Sequence, residues 1–265
     1  LTPALLIAVL ATRPMDGLPW QKLLLVLDGT LLLCAALLVL WQRGLRRLEP
    51  ACFTSLFQGG VRFNTFIALA LAGALLGDEG LRYSALAATA MILLINLLCI
   101  AAFAVSVGSC GFRFRTLTKQ LIANPLILSC VIGLLLNLSG IGLKPGMAAT
   151  LDLVGRAAFP LGLLLVGAAL RFDGIFSSWE LTLTASLMQF VIKPLLAITL
   201  LQWVGLSGVA ATVVVIFLCV PTAPSAYILA RQLVGNAPAM AVIITVQTML
   251  AFVTLPLTLY LLPEL

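Results

Sequence analysis

Two short stretches carry side chains that could do chemistry in an otherwise apolar chain. The first is "VRFNTF", with Arg62, Asn64 and Thr65. The second is "FLCVPTAPSAYILARQLVG", residues 217–235, with Pro221, Thr222, Pro224 and Ser225. Proline lacks a backbone N–H and clashes with the preceding turn, so it opens a helix. Freed backbone groups at helix ends take ligands: N-termini attract anions and C-termini attract cations. Arg62, Asn64, Thr65, Pro221, Thr222 and Ser225 are therefore the candidate substrate-binding residues. Asp28, interrupting "LLLVLDGTLLL", is the only acid well inside a long apolar run, and Lys193 before Pro194 is a cation in another. Those two are the candidates for carrying a proton or an ion.

The chemistry these residues exclude is as informative. The chain has no histidine, and its six cysteines are scattered singly with no CxxC spacing. Zinc and haem sites are not expected, nor is a hydrolase with a histidine base, and no cofactor is expected. No nucleophile–base pair stands out, so the sequence does not read as an enzyme.

The elements that must position these residues follow from composition. Of 265 residues, 62% are hydrophobic and 9% charged. That much apolar surface needs lipid as solvent, and a spanning helix needs about 20 apolar residues. Nine apolar segments meet the eye: 1–12, 23–41, 51–76, 82–107, 120–142, 148–170, 180–204, 207–233 and 237–262, the first too short to span. The predicted class is an all-α integral membrane protein. The chain opens on Leu1 rather than Met, and opening helices are expected to precede it.

The net charge of +6 sits in loops, where it reports orientation rather than nucleic-acid binding. Arg43, Arg46, Arg47, Arg113, Arg115, Lys119, Arg171 and Arg231 share one side, and Arg13, Lys22, Arg82 and Lys144 the other. The richer side is predicted to be cytoplasmic, in a multi-pass protein of the cell (inner) membrane. Asp152 and Arg156, one turn apart, read as an ion pair near a helix end. Within the predicted spans Arg62, Arg156 and Lys193 outnumber Asp28 and Asp152, which favours an anionic substrate.

An internal repeat crosses the basic stretch 108–119. "TPALLIAVLA" at 2–11 matches "FPLGLLLVGAAL" at 159–170, with Pro3 and Pro160 separated by 157. "NTFIALALAGALLGDEG" from Asn64 matches "TAPSAYILARQLVGNAP" from Thr222, with Gly77 and Gly235 separated by 158. Repeat mates stand five spans apart in the chain, an odd step, so the two copies run in opposite directions. That is an inverted repeat, the plan of many secondary transporters. The predicted organisation is a first repeat at 1–107, a cytoplasmic basic linker at 108–119 and a second repeat at 120–265.

The stretches "ANPLILSCVIGLLLNLSGIGL", "FPLGLLLVGAAL" and "VPTAPSAYILARQLVGNAPAMAVIITVQTMLAFVTLPLTLYLL" resemble the auxin efflux carrier family, which includes bacterial malate and malonate permease-like members. "VRFNTFIALALAGALLGDEGL" extends the resemblance, more loosely, into the first half. The resemblance implies ten helices in a five-plus-five inverted repeat. Crossed, broken fourth and ninth helices would frame the site, with elevator-like alternating access. It aligns Asn64 and Thr65 with the first crossover and Pro221 and Thr222 with the second. Where the family usually has a proline after Asn-Thr, this chain has Ala70 or Leu71, so a softer first break is expected.

The leading expectation is thus a secondary transporter of a small organic anion, a carboxylate or dicarboxylate, working as a homodimer in a lipid bilayer. Small residues such as Gly133, Gly140 and Gly162 are expected to allow close approach of scaffold helices at the dimer. Two alternatives stand beside it. One is a sodium-coupled carrier of the bile-acid type, which needs clustered Asn, Gln and Glu oxygens at the crossover. The other is a membrane sensor or scaffold that keeps the fold without transport.

Overall fold

A computed structural model describes residues 1–12, 17–44, 48–107, 125–168, 170–171 and 178–261. The expected linker 108–119, with Arg113, Arg115 and Lys119, and the loop cations Arg13, Arg46 and Arg47 lie outside the described residues. All regular structure among the described residues is helical. In order the helices are α1 (Thr2–Thr12), α2 (Trp20–Gly44), α3 (Pro50–Val61), α4 (Thr65–Val107), α5 (Pro125–Leu138), α6 (Pro145–Arg156) and α7 (Ala158–Ala168). After them come α8 (Trp179–Leu187), a π turn (Met188–Ile192), α9 (Lys193–Val204), α10 (Gly208–Cys219), α11 (Ser225–Gln232) and α12 (Ala237–Leu261).

Five described stretches are long and apolar enough to cross a bilayer: Trp20–Gly44, Pro50–Ser106, Pro145–Ala168, Trp179–Val204 and Ala237–Leu261. The second, 57 residues long, would measure about 85 Å as helix against a hydrocarbon core of about 30 Å. It turns back within its length. Gly77 breaks α4 at φ +58 and ψ −142, a left-sided conformation open to glycine, so a single residue replaces the loop expected after residue 76.

Apolar side chains cover these helices all round, which in water would be unstable. Leu138, Leu153 and Phe252 are among the large apolar side chains left bare on the outer surface. Trp20 opens α2, Trp179 opens α8, Trp203 lies near the end of α9 and Tyr260 near the end of α12, all exposed. That placement suits aromatic side chains at the two membrane–water boundaries.

The helices pack as two groups. In the smaller, α1 lies against α5 and α6. Glycines set the spacing: a Cβ on Gly133 would meet Leu10 Cβ at 2.7 Å, and one on Gly155 would meet Leu5 Cα at 2.8 Å. Such small residues let helix backbones approach where lipid offers no hydrophobic drive to associate. In the larger group α3 packs on α4, α8 and α12, and α10 packs on α4, α9 and α12. The groups meet where α7, α1 and α5 touch α4, and the ring of Phe66 fills the space a Gly162 side chain would need. Gly133 and Gly162 are therefore occupied within the chain, and a dimer contact cannot rest on them; Gly140 is open, at φ +70.

Candidate functional site

Two helical rods are interrupted near their middles. Arg62, Phe63 and Asn64 separate α3 from α4, and the five residues Val220–Pro224 separate α10 from α11. The second break has a proline cause. A residue before proline is driven from the helical to the extended region, and Val220, before Pro221, sits at φ −68 and ψ 150. The first break has none. Arg62 is extended too, at φ −71 and ψ 159, and Asn64 restarts the helix. Its Oδ1 accepts from the N–H groups of Phe66 at 3.1 Å and Ile67 at 3.4 Å, capping two otherwise orphaned donors of α4.

The breaks touch. Thr222 Oγ1 donates to Gly59 O at 3.0 Å, and the Thr222 N–H donates to Gln247 Oε1 at 3.1 Å. Gln247 Nε2 donates to the same Gly59 carbonyl at 2.8 Å. On the other flank Lys193 Nζ donates to Val61 O at 3.3 Å and to Gln189 Oε1 at 2.6 Å, while Gln189 Nε2 donates to Val220 O. Carbonyls freed at the ends of α3 and α10 thus find side-chain donors, as buried backbone must where water is excluded. Gly59 and Gly60 make the approach possible: a Cβ on either would fall 2.8 Å from Ile243 or Met188. Phe63 and Phe217 pack ring to ring across the seam, 5.6 Å between centroids.

Pro194 explains how Gln189 and Lys193 both reach inward. Its ring clashes with the carbonyl four residues earlier, and the ladder ahead of it widens into the π turn Met188–Ile192. Such turns re-aim side chains and recur at functional sites.

Beside the seam lies a cavity of about 270 Å³. Arg62, Phe63, Thr65 and Asn96 line one side, and Ala223, Ser225 and Gln232 the other. Arg62 is 8% exposed, and its guanidinium donates to Gln58 Oε1 at 3.3 Å and Asn96 Oδ1 at 3.1 Å. Both partners are neutral, so the positive charge facing the cavity is not cancelled by a carboxylate among the described residues. Thr65 and Ser225, the first residues of α4 and α11, stand on the wall. The positive ends of two helices therefore flank the same space.

The sequence candidates fall into three places. Arg62, Thr65 and Ser225 line the cavity; Asn64, Pro221 and Thr222 are buried behind it in the seam. The Asn64 Nδ2 donor is buried without an acceptor. Lys193 lies on the far side of the seam, fully buried. Asp28 sits apart on α2, half-buried, with Oδ1 unpartnered among the described residues. Asp152 and Arg156 form the expected ion pair, 2.8 Å apart and exposed. Asn96, Gln58 and Gln232 escaped the sequence reading. Gln58 had a signal, standing four residues before Arg62 on one helix face; Asn96 showed only as a lone amide in "LLINLLC".

A family model for membrane transport proteins matches residues 112–259, more than half of the chain. The chain belongs to the membrane transport protein family, that of the auxin efflux carriers. No curated protein matches it. The family is one of transporters rather than enzymes, and its helices make this member a multi-pass membrane protein. The match takes in the π turn, Lys193, the Pro221 break, Ser225 and Gln247. The first break, with Arg62, Asn64 and Thr65, lies outside it, as does Asp28.

Proposed function

We propose that this membrane transport protein moves a small organic anion, a carboxylate or dicarboxylate, by alternating access, with the cavity beside the seam as its binding site. One observation carries the reading: a buried Arg62, bonded to two amides and with no carboxylate partner among the described residues, faces a cavity flanked by the starts of α4 and α11. A carboxylate there would take charge-assisted hydrogen bonds from the guanidinium, with Thr65 and Ser225 hydroxyls in reach of its other oxygens. The space suits a small acid and no more.

The wider plan belongs to the same proposal. The breaks at Asn64 and Thr222 stand 158 residues apart, and left-sided backbone recurs at Gly77 and Val234, 157 apart. Both spacings support an inverted five-plus-five repeat. The cavity extends along α11 to Gln232, beside Arg231 on the cation-rich face. With that face cytoplasmic, in the cell membrane, this is an inward-facing arrangement. A homodimer would use the bare faces of α5 and α6, where Leu138 and Leu153 are exposed.

Counterflow of a labelled dicarboxylate such as malate in proteoliposomes tests the transport reading. Accumulation driven by unlabelled malate inside, and competed by other small carboxylates, is expected. Absence of exchange for every small mono- and dicarboxylate tried would remove it.

A further inference from the structure

We propose that Lys193 is a tethered cation holding the slot between the ends of α3 and α10, so that the crossover takes no mobile sodium ion. Helix C-termini carry partial negative charge, and two of them meet here. Val61 is the last residue of α3, and its carbonyl accepts from Lys193 Nζ at 3.3 Å. Val220 caps α10, and its carbonyl accepts from Gln189, which in turn accepts from Lys193 at 2.6 Å. One ammonium therefore serves both ends, directly on one side and through an amide on the other.

The surroundings define what else could sit there. Lys193 is fully buried, and the titratable side chains near it are the thiols of Cys34, Cys99 and Cys219. No carboxylate among the described residues pairs with it, so its charge is answered by backbone and amide oxygens. Oxygens of that kind are the ligands a hard monovalent or divalent ion takes. A sodium-coupled carrier would place its ion among such oxygens at the crossover. Here a covalently attached charge stands in that position, at fixed stoichiometry and at any external salt.

The proposal goes beyond the transport reading and does not depend on the cargo. Its test is salt-dependent stability, so a failed counterflow experiment leaves it standing. The full chain, purified in detergent, is unfolded thermally in sodium chloride and in N-methylglucamine chloride at equal ionic strength. The wild type is expected to unfold at the same temperature in both. Lys193→Ala opens a cavity faced by Val61 O and Gln189 Oε1, and is expected to unfold earlier in N-methylglucamine. Sodium should restore about half of that loss or more, as a ligand specific to the folded state does. Lys193→Met fills the space without charge and is expected to lose stability equally in both salts. A wild type stabilised by sodium, a Lys193→Ala protein recovered in neither salt, or a Lys193→Met protein as stable as wild type would each overturn the proposal.

Discussion

Replacing Arg62 by glutamine removes the positive charge from the cavity wall while keeping a side chain that can still donate to Asn96. The guanidinium makes two bonds to neutral amides, at 3.3 and 3.1 Å. Losing one of two such bonds costs about 1 kcal/mol of stability, and relief of a buried charge offsets part of that. The effect on binding is larger. A hydrogen bond to a charged group contributes about 1.5–3 kcal/mol, which is roughly a tenfold to hundredfold change in affinity. Arg62→Gln should thus raise the apparent Kd for a dicarboxylate by that factor and leave thermal unfolding nearly unchanged. Arg62→Lys keeps the charge but loses the planar fork, so its affinity should fall between the two. Calorimetric titration of detergent-purified protein reads both quantities on one sample. An Arg62→Gln protein that binds within about twofold of wild type, with its fold intact, would refute the assignment of the cavity as an anion site.

Three further outcomes are expected. Asn64→Ala removes the cap from Phe66 and Ile67, so thermal or denaturant unfolding should show a loss of about 1 kcal/mol; no loss would mean that α4 starts without it. Gly155→Leu forces a side chain onto Leu5, whose Cα lies 2.8 Å from the nearest possible Cβ. It should destabilise the α1–α6 contact by about 1–3 kcal/mol, whereas Gly167→Leu, facing open space, should not. Ser225→Cys should react with a maleimide and be shielded by bound dicarboxylate, while Thr222→Cys, buried in the seam, should react slowly with or without it; equal reactivity would place the cavity wall elsewhere.

Much of this arrangement was written in the sequence because backbone chemistry is local. Pro221 drives Val220 out of the helical region, and the 158-residue offset from Thr222 to Asn64 pointed to the partner break without any proline to mark it. What the sequence left open depended on rotation about a helix axis. Thr222 and Ser225 are three residues apart, yet one is sealed in the seam and the other lines the cavity. Nothing in their neighbours' composition distinguishes them. Gln189 and Gln247 are likewise amides in apolar runs, free on paper to face lipid, cavity or helix. Their roles emerge only when the carbonyls of Gly59 and Val220 are brought within reach from distant segments. Gly133 and Gly162 show the same limit, since a small residue signals close approach but not by whom.

The meeting of α7 with α4 has a mechanical consequence. Phe66 presses against Gly162, and a second cavity of about 290 Å³ opens alongside, walled mainly by Ile67, Leu163, Val166, Phe252 and Leu255. Displacement along such a greasy face trades one dispersion contact for another of similar depth. Free volume beside it gives rings and methyls room to swing past one another, where a close-packed interior would jam. Under the proposed alternating access, friction along this face would add to the few hydrogen bonds between the groups, such as Arg171 N–H to Thr245 Oγ1 at 2.8 Å, and turnover would then follow the fluidity and lateral pressure of the surrounding bilayer.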